Sequence, residues 1–483
     1  MATLLSSSFS ALFILVLIIV ASIHCGAIGE DRKVYIVYMG AVSENEYSLT
    51  TQHLSILEEV LEKSKIIGAR FYSDIDTYKS ARDLTGHGTH TASTVAGNLV
   101  PDVSFYGLAK GNARGGVPSA RIAVYKVCND NETCNDSDIL AGFDDAIADG
   151  VDIISISMGL IEATAFDSDS IAIGAFHAMK KGILTSHSAG NNGPSKQTTI
   201  SVAPWLLSVG ASSTDRHIIS KVSLGDGTVL QPDISAPGVE ILAAYSPVYP
   251  PSSLKRDKRS VKYSILSGTS MSCPHATGAA AYVKSFHPDW SPSAIKSALM
   301  TTAWSMNATR NPDAEFAYGA GHIDPVKAVH PGLVYVALKD DYIKFLCNIG
   351  WDAKRISIIS GDNSTCSEGS KGSSIDLNYP SMAVHLQPNT AFVINFPRRA
   401  TNVGSANATY KASFISDSKI NISVKPRVLS FTSLHQEKSF VVTVSGSGVP
   451  QDSMASASLV WSDGTHSVRS PIVVYSSFSK ASK

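Results

Sequence analysis

A serine that could attack a carbonyl stands at Ser270, in the run Ser267-Gly268-Thr269-Ser270-Met271-Ser272-Cys273-Pro274-His275. Gly268 lets the backbone come close to a ligand, Pro274 is tolerated in a helix's first turn, and Thr277-Gly278-Ala279-Ala280-Ala281 keeps the downstream segment thin. The pattern predicts a buried helix with Ser270 at its N-terminus, where the dipole and free N–H groups favour developing negative charge. Read alone, the run is more readily a Ser-rich cap on a core helix. A second run, Gly86-His87-Gly88-Thr89-His90-Thr91-Ala92-Ser93, changes the balance. A serine needs a general base whose imidazole can turn toward the hydroxyl, and the glycines beside His87 remove the obstruction. His90 stands three residues away, as a metal partner could, yet no acidic or Cys ligand lies at a suitable spacing, so no metal is expected. A third run, Ser188-Ala189-Gly190-Asn191-Asn192-Gly193-Pro194, comes after the apolar Gly182-Ile183-Leu184. Asn191 at a strand end can aim its amide at an oxyanion, and an Asn-Gly turn is the plainer reading.

Elements of alternating type must hold these residues. Residues 121–127 are apolar and β-rich, residues 138–148 carry Ile139, Leu140, Phe143 and Ile147 on one helical face, and a further strand spans 151–157. A helix near 169–180 and strands at 183–186 and 206–211 come next, and Ser291-Pro292 starts another helix that runs to about Ala303. Repeated βα units predict an α/β domain, a parallel sheet with helices on both faces, whose active residues gather at strand C-termini. After a Gly/Ser-rich stretch at 360–374, segments 391–396, 409–415, 421–424, 439–444 and 456–461 alternate apolar and polar residues, as a small β-sandwich does.

The motifs around His87, Asn191 and Ser270, in that chain order, resemble those of subtilisin-like serine proteases. Flanking residues narrow the resemblance to the plant secreted subtilases: 65–72 (KIIGARFY), 232–238 (PDISAPG), 318–323 (YGAGHI) and 377–381 (LNYPS) all match that branch. The resemblance covers nearly the whole chain. It implies Ser270 as nucleophile, His87 as general base, Asn191 as oxyanion donor, and Ser157-Met158-Gly159 lining the cleft that pairs with a protein or peptide substrate. It also implies a catalytic domain at 65–340, a fibronectin-III-like domain at 376–483, and a partial inhibitor propeptide at 29–64, of which only a strand (33–39) and a helix (49–61) are left.

Two stretches of the family pattern are missing. The Asp-Thr-Gly that ends an apolar strand before the histidine motif does not occur, and Glu59-Val60-Leu61-Glu62-Lys63-Ser64 runs straight into Lys65. Asp74, Asp76 and Asp83 precede His87 in a polar segment, without the apolar strand that would bury a carboxylate behind the imidazole. Between Gly225-Asp226-Gly227 and Pro232, the protease-associated insert and a Ser-rich segment of the core are absent as well. Loss of the triad acid alone costs a characterised subtilisin roughly 3 × 10⁴ in turnover, about 6 kcal/mol. Loss of an interior strand opens ladder groups in the sheet, so a folding defect is expected before a catalytic one. Two readings result: a serine endopeptidase of lowered turnover, and an inactive pseudoprotease or misfolded product of an incomplete gene model. Family membership favours the first; the broken triad and sheet favour the second for the chain as it stands.

Residues 9–23 are almost wholly apolar but too few to cross a bilayer, and small residues come after them, as in a signal peptide ending by about residue 28. Sequons at Asn131, Asn135, Asn307, Asn363, Asn407 and Asn421 fit the secretory pathway and an extracellular destination, apoplast or cell wall by resemblance. With Cys25 removed, five cysteines remain; Cys128 and Cys134 flank a polar loop and are the expected disulfide, Cys347 and Cys366 a weaker second pair, and Cys273 is left as a buried thiol. No later segment is long and apolar enough to span a membrane. A formal net charge of −1 gives no reason to expect nucleic acid as a partner, and no phosphate-cradling loop implies a cofactor.

Overall fold

The structure, a computed structural model, describes residues 65–72, 79–129, 133–159, 163–193, 199–213, 232–252, 254, 256–306, 314–367, 372–416 and 420–476, and the backbone of residues 35–38. The helix expected at 49–61, the signal segment, Asp74, Asp76 and the junction at 225–231 lie outside the described residues.

Strand β1 (Tyr35–Tyr38) is followed by β2 (Ile66–Phe71), helix α1 (His87–Ala96), a hairpin of β3 (Val100–Phe105) and β4 (Leu108–Ala113), and β5 (Arg121–Lys126). Then come α2 (Asp136–Ala148), β6 (Ile153–Ile156), α3 (Ser170–Lys180), β7 (Leu184–Ser188), β8 (Leu207–Ser212) and β9 (Ile234–Pro237). A small antiparallel pair, β10 (Ile241–Ala244) with β11 (Tyr263–Leu266), leads into α4 (Thr269–Phe286) and α5 (Pro292–Thr301).

Seven parallel strands form one sheet in the order β2-β5-β1-β6-β7-β8-β9. Strands covered on both faces read as continuous apolar runs. β6 and β7 are buried at every position, and so is β5 after Arg121. Ile122, Val124, Ile153, Leu184 and Val209 pack against Cys273, Ala276 and Ala280 of α4 on one face. Tyr125, Ile154 and Ile156 pack with Phe143 of α2 and Phe176 of α3 on the other. The small residues of α4 have the purpose expected of them: a Cβ on Gly278 would lie 3.3 Å from the Gly116 Cα, so the chain passes α4 almost backbone to backbone.

The opened sheet expected from the sequence is not found. The slot between β5 and β6 is filled by β1, whose Ile36 is in register with Ile122 on one side and Ile153 on the other. Residues 35–38, part of the segment expected to be a propeptide remnant, thus lie inside the catalytic sheet.

The C-terminal sandwich stacks two sheets. One has the order β12 (Leu333–Val334), β14 (Phe392–Asn402), β18 (Glu437–Gly446), β16 (Ile420–Lys425). The other runs β13 (Met382–Leu386), β20 (Ser467–Ser476), β19 (Met454–Ser462), β15 (Ala408–Ser416), β17 (Val428–Phe431). Phe396, Tyr410, Phe440, Val442 and Trp461 fill the space between them. β20 is not among the strands expected from alternation: from Val468 to Val474 every position is buried except the half-buried Arg469, because the strand is covered on both faces.

The sandwich is tied to the α/β unit by polar groups that have no water to turn to. Asn378 Nδ2 donates to the Val336 carbonyl at 2.9 Å and the Arg399 carbonyl at 3.0 Å, and the Tyr335 and Ser470 hydroxyls meet at 2.9 Å. Lys296 Nζ, 2% exposed as a residue, lies 2.8 Å from Asp233 Oδ2 and 4.3 Å from the centre of the Tyr379 ring, and Tyr379 Oη donates to Asp233.

Candidate active site

Each reactive residue sits where its local sequence forces the chain to turn. Gly86 has φ +83°, and the Tyr245 ring lies where a side chain on it would go, so only glycine fits there. The loop that ends in Gly86 is held from below by Asp83, which is 3% exposed and accepts from Gly86 N at 2.8 Å, Thr85 N at 3.0 Å, and Thr89 N and Oγ1 at 2.6 Å each. Tyr245 Oη donates to the Thr85 carbonyl at 3.1 Å and Ser246 Oγ to the Asp83 carbonyl at 2.7 Å. Asp83 is therefore occupied in fixing the turn that starts α1, and its oxygens serve the backbone and the threonine hydroxyls of that turn.

Ser270 stands second in α4, after the N-cap Gly268 at φ +151°. The helix starts at Thr269, so Pro274 falls in the second turn and not in the first as the sequence pattern implied. A proline has no N–H to give to the carbonyl four residues back, which here belongs to Ser270. Ser157 supplies the missing donor: its Oγ donates to the Ser270 carbonyl at 2.9 Å, and Ser270 Oγ donates to the Ser157 carbonyl at 3.3 Å. Ser157 comes directly after β6, so the strand end is buttoned to the first turn of α4 by two bonds that run in opposite directions.

Asn191 comes from the end of β7 and is fixed by its acceptor side. Its Oδ1 takes the Thr269 N–H and the Thr269 hydroxyl, both at 2.8 Å, so Nδ2 is the end of the amide outside that pair of bonds. A Cβ on Gly268 would lie 3.3 Å from Nδ2, so glycine there is what lets the amide stand beside the first turn of α4. Ser157, Asn191 and Ser270 are thus brought together at the C-terminal ends of β6 and β7.

His87 reaches the same edge through the packing of α1 on α4. Near the C-terminal end of α1, Gly116 N and Val117 N donate to the Thr94 and Val95 carbonyls just ahead of β5, which puts that end of the helix at the N-terminal edge of the sheet. There Gly278 packs against Gly116 and the Val95 carbonyl. Val95 is eight residues after His87 and Gly278 eight after Ser270. Eight helical residues span about 12 Å, so His87 and Ser270 lie equally far along their helices from this contact. His87 and Ser270 are half-buried and Asn191 is exposed.

Two further histidines, His90 and His187, have structural employment. His90 is fully buried with Nε2 3.0 Å from the Ile241 carbonyl and 3.2 Å from the Ser264 carbonyl, and burial pushes its pKa down to about 4. His187 is not singled out by the sequence. It is buried in β7, burial likewise pushes it down to about 4, and its Nε2 lies 2.7 Å from the Met158 carbonyl, so a neutral imidazole fixes the strand end that carries Ser157-Met158-Gly159. The sequence gives no signal for it, since it stands among the polar residues Thr185, Ser186 and Ser188 of the same strand. Cys273 is buried, its Sγ 3.3 Å from the Ile156 and Ser186 carbonyls, and burial pushes the thiol up, so it stays protonated and is no rival nucleophile.

Disulfides join Cys128 to Cys134 and Cys347 to Cys366. Of the sequons, Asn363, Asn407 and Asn421 are exposed and Asn135, the N-cap of α2, is half-buried; Asn131 and Asn307 lie outside the described residues. Among the described residues no cluster of three or more His, Cys, Asp or Glu could hold a metal.

A serine at a helix N-terminus, an amide beside it and a histidine on the adjoining helix define a serine hydrolase of the α/β type, and comparison with known proteins specifies which. Residues 50–321 match the model described as Subtilase family, and residues 376–474 match a fibronectin type-III domain. The Subtilisin-like protease SBT4.8 of Arabidopsis thaliana is 45% identical over 535 aligned positions, which take in 85% of this chain and 74% of the relative. The Arabidopsis Subtilisin-like proteases SBT4.6 and SBT4.3 are each 43% identical, covering 85% and 86% of this chain and 76% of theirs. The chain belongs to the subtilase family of plant subtilisin-like serine proteases, and by that membership it is a serine-type endopeptidase. Since 85% of 483 residues is about 410, about 125 of the 535 positions aligned with SBT4.8 face gaps in this chain.

Proposed function

We propose that this chain is a secreted endopeptidase that hydrolyses peptide bonds through an acyl-enzyme on Ser270. His87 takes the Ser270 proton as the hydroxyl attacks the scissile carbonyl and returns it to the leaving amine. Asn191 Nδ2 and the N-terminus of α4 receive the oxyanion of the tetrahedral intermediate. Residues 157–159, at the mouth of the cleft, pair with the backbone of the bound protein or peptide. No Asp-Thr-Gly precedes His87 and Asp83 is committed to its own loop, so neither supplies the imidazole with the carboxylate of the family's triad. Turnover is accordingly lower than in relatives that keep the acid, by roughly 3 × 10⁴.

The observation that supports this reading is the meeting of Ser270, Ser157 and Asn191 at the ends of β6 and β7, beside the helix α4 on which α1 packs. Extracellular work is supported by the apolar segment at 9–23, by the sequons and by the two disulfides. No described helix is long and apolar enough to cross a membrane. The test is a fluorophosphonate probe on the secreted chain: slow labelling that Ser270→Ala abolishes is expected. A folded protein that takes no label over days would replace the endopeptidase with a pseudoprotease.

A further inference from the structure

We infer that β1 is a permanent strand of the catalytic sheet and a positioning segment for Ser270, so that the working protein keeps residues 35–38 and does not shed them with a propeptide. The inference rests on the proposed function for its meaning, but its geometry stands apart from catalysis.

β1 is interior. Tyr35, Ile36, Val37 and Tyr38 pair in parallel with Arg121, Ile122, Ala123 and Val124 of β5, and Ile36, Val37 and Tyr38 pair with Ile153, Ile154 and Ser155 of β6. An interior strand satisfies backbone groups on both neighbours, and its removal would leave two facing rows of N–H and C=O groups where helices on both faces exclude water. The sequence suits the position: Tyr-Ile-Val-Tyr is β-branched and aromatic throughout, without a charge or a proline. The chain between Tyr38 and Ile66 is also long enough, since a parallel crossover needs only a dozen or so residues.

The link to the nucleophile is short. β1 holds the position of β6, β6 ends one residue before Ser157, and Ser157 exchanges two hydrogen bonds with Ser270. Cleavage between Ser64 and Lys65 with release of the N-terminal piece would therefore disconnect β5 from β6 and loosen the support of Ser270. Cleavage that leaves the piece in its slot would not.

The test separates strand retention from activity. A specific protease site is placed between residues 45 and 50 of the full secreted chain, the chain is cut, and the product is monitored by native mass spectrometry and hydrogen exchange of β5 and β6. Expected is a peptide carrying residues 35–38 that stays bound without a covalent link, and loss of amide protection at 122–125 and 153–156 whenever it is stripped away. A body that loses the peptide and keeps its protection overturns the inference, whatever its activity. Ile36→Pro, which removes a ladder donor, is the second arm: exposure of β5 and β6 relative to Ile36→Val supports the inference and unchanged exchange refutes it. N-terminal sequencing of the untreated secreted protein gives the third: a folded species that starts at Lys65 with no associated peptide also overturns it.

Discussion

The bond from Ser157 to the Ser270 carbonyl is the most informative one to break, because the reason for it is visible in the sequence. Pro274 leaves that carbonyl without its helical donor, and Ser157 Oγ at 2.9 Å replaces it. Ser157→Ala strands a half-buried acceptor, which costs about 1–2 kcal/mol. At about 2–4 °C per kcal/mol for a domain of this size, the melting temperature falls by about 2–8 °C. Pro274→Ala restores an N–H that the Ser270 carbonyl can accept, so in that background Ser157→Ala costs only a few tenths of a kcal/mol. The coupling between the two positions is then about 1 kcal/mol, measurable by urea denaturation of the four proteins in a double-mutant cycle. Ser157→Thr keeps the hydroxyl and serves as control. Equal costs of Ser157→Ala with proline and with alanine at 274 would refute the reasoning, since the serine would then be stabilising something other than the orphaned carbonyl.

Asn191→Leu removes the oxyanion donor and is expected to slow fluorophosphonate labelling by about 10²–10³, whereas Thr269→Val, which deletes one of two anchors of the Asn191 carbonyl oxygen, slows it by about tenfold. His90 and His187 are both held near a pKa of about 4 by burial, below the value of an exposed imidazole, so the unfolded chain takes up protons that the folded chain refuses. Stability is therefore complete above about pH 6.5 and is lost as pH falls toward 4, by on the order of 3 kcal/mol per histidine; melting temperatures across that window check it, and a flat profile contradicts it. Lys296→Met leaves Asp233 buried without its cation and is expected to cost about 3–5 kcal/mol in chemical denaturation, far more than the loss of any exposed lysine.

Much of the fold is readable because the periodicities are strong. The runs at 121–127, 138–148 and 169–180 correspond to β5, α2 and α3 to within two residues, since apolar spacing decides element type where a helix or strand has one or two covered faces. Five strands of the sandwich are readable through their alternation; β20 is not, because it is covered twice, and the short β12, β13 and β17 are not among those expected either. His187 escapes notice because a buried neutral histidine leaves no pattern in the neighbouring residues. Ser157 stands out only as part of a cleft: its bond to Ser270 depends on β6 and α4 lying side by side, which no local spacing reports.

What the sequence determined by itself is the chemistry on offer: a serine where a helix must begin, a histidine freed by glycines, an amide at a strand end, and the absence of an Asp-Thr-Gly ahead of them. Those come from residue type and from backbone sterics within a few positions, and need no knowledge of distant neighbours. Only the tertiary structure decided what fills the middle of the sheet. Pairing of β1 with β5 and β6 joins residues more than eighty apart in the chain, through backbone groups that every residue except proline possesses, so the sequence of the strand could state that it would pair but not with whom.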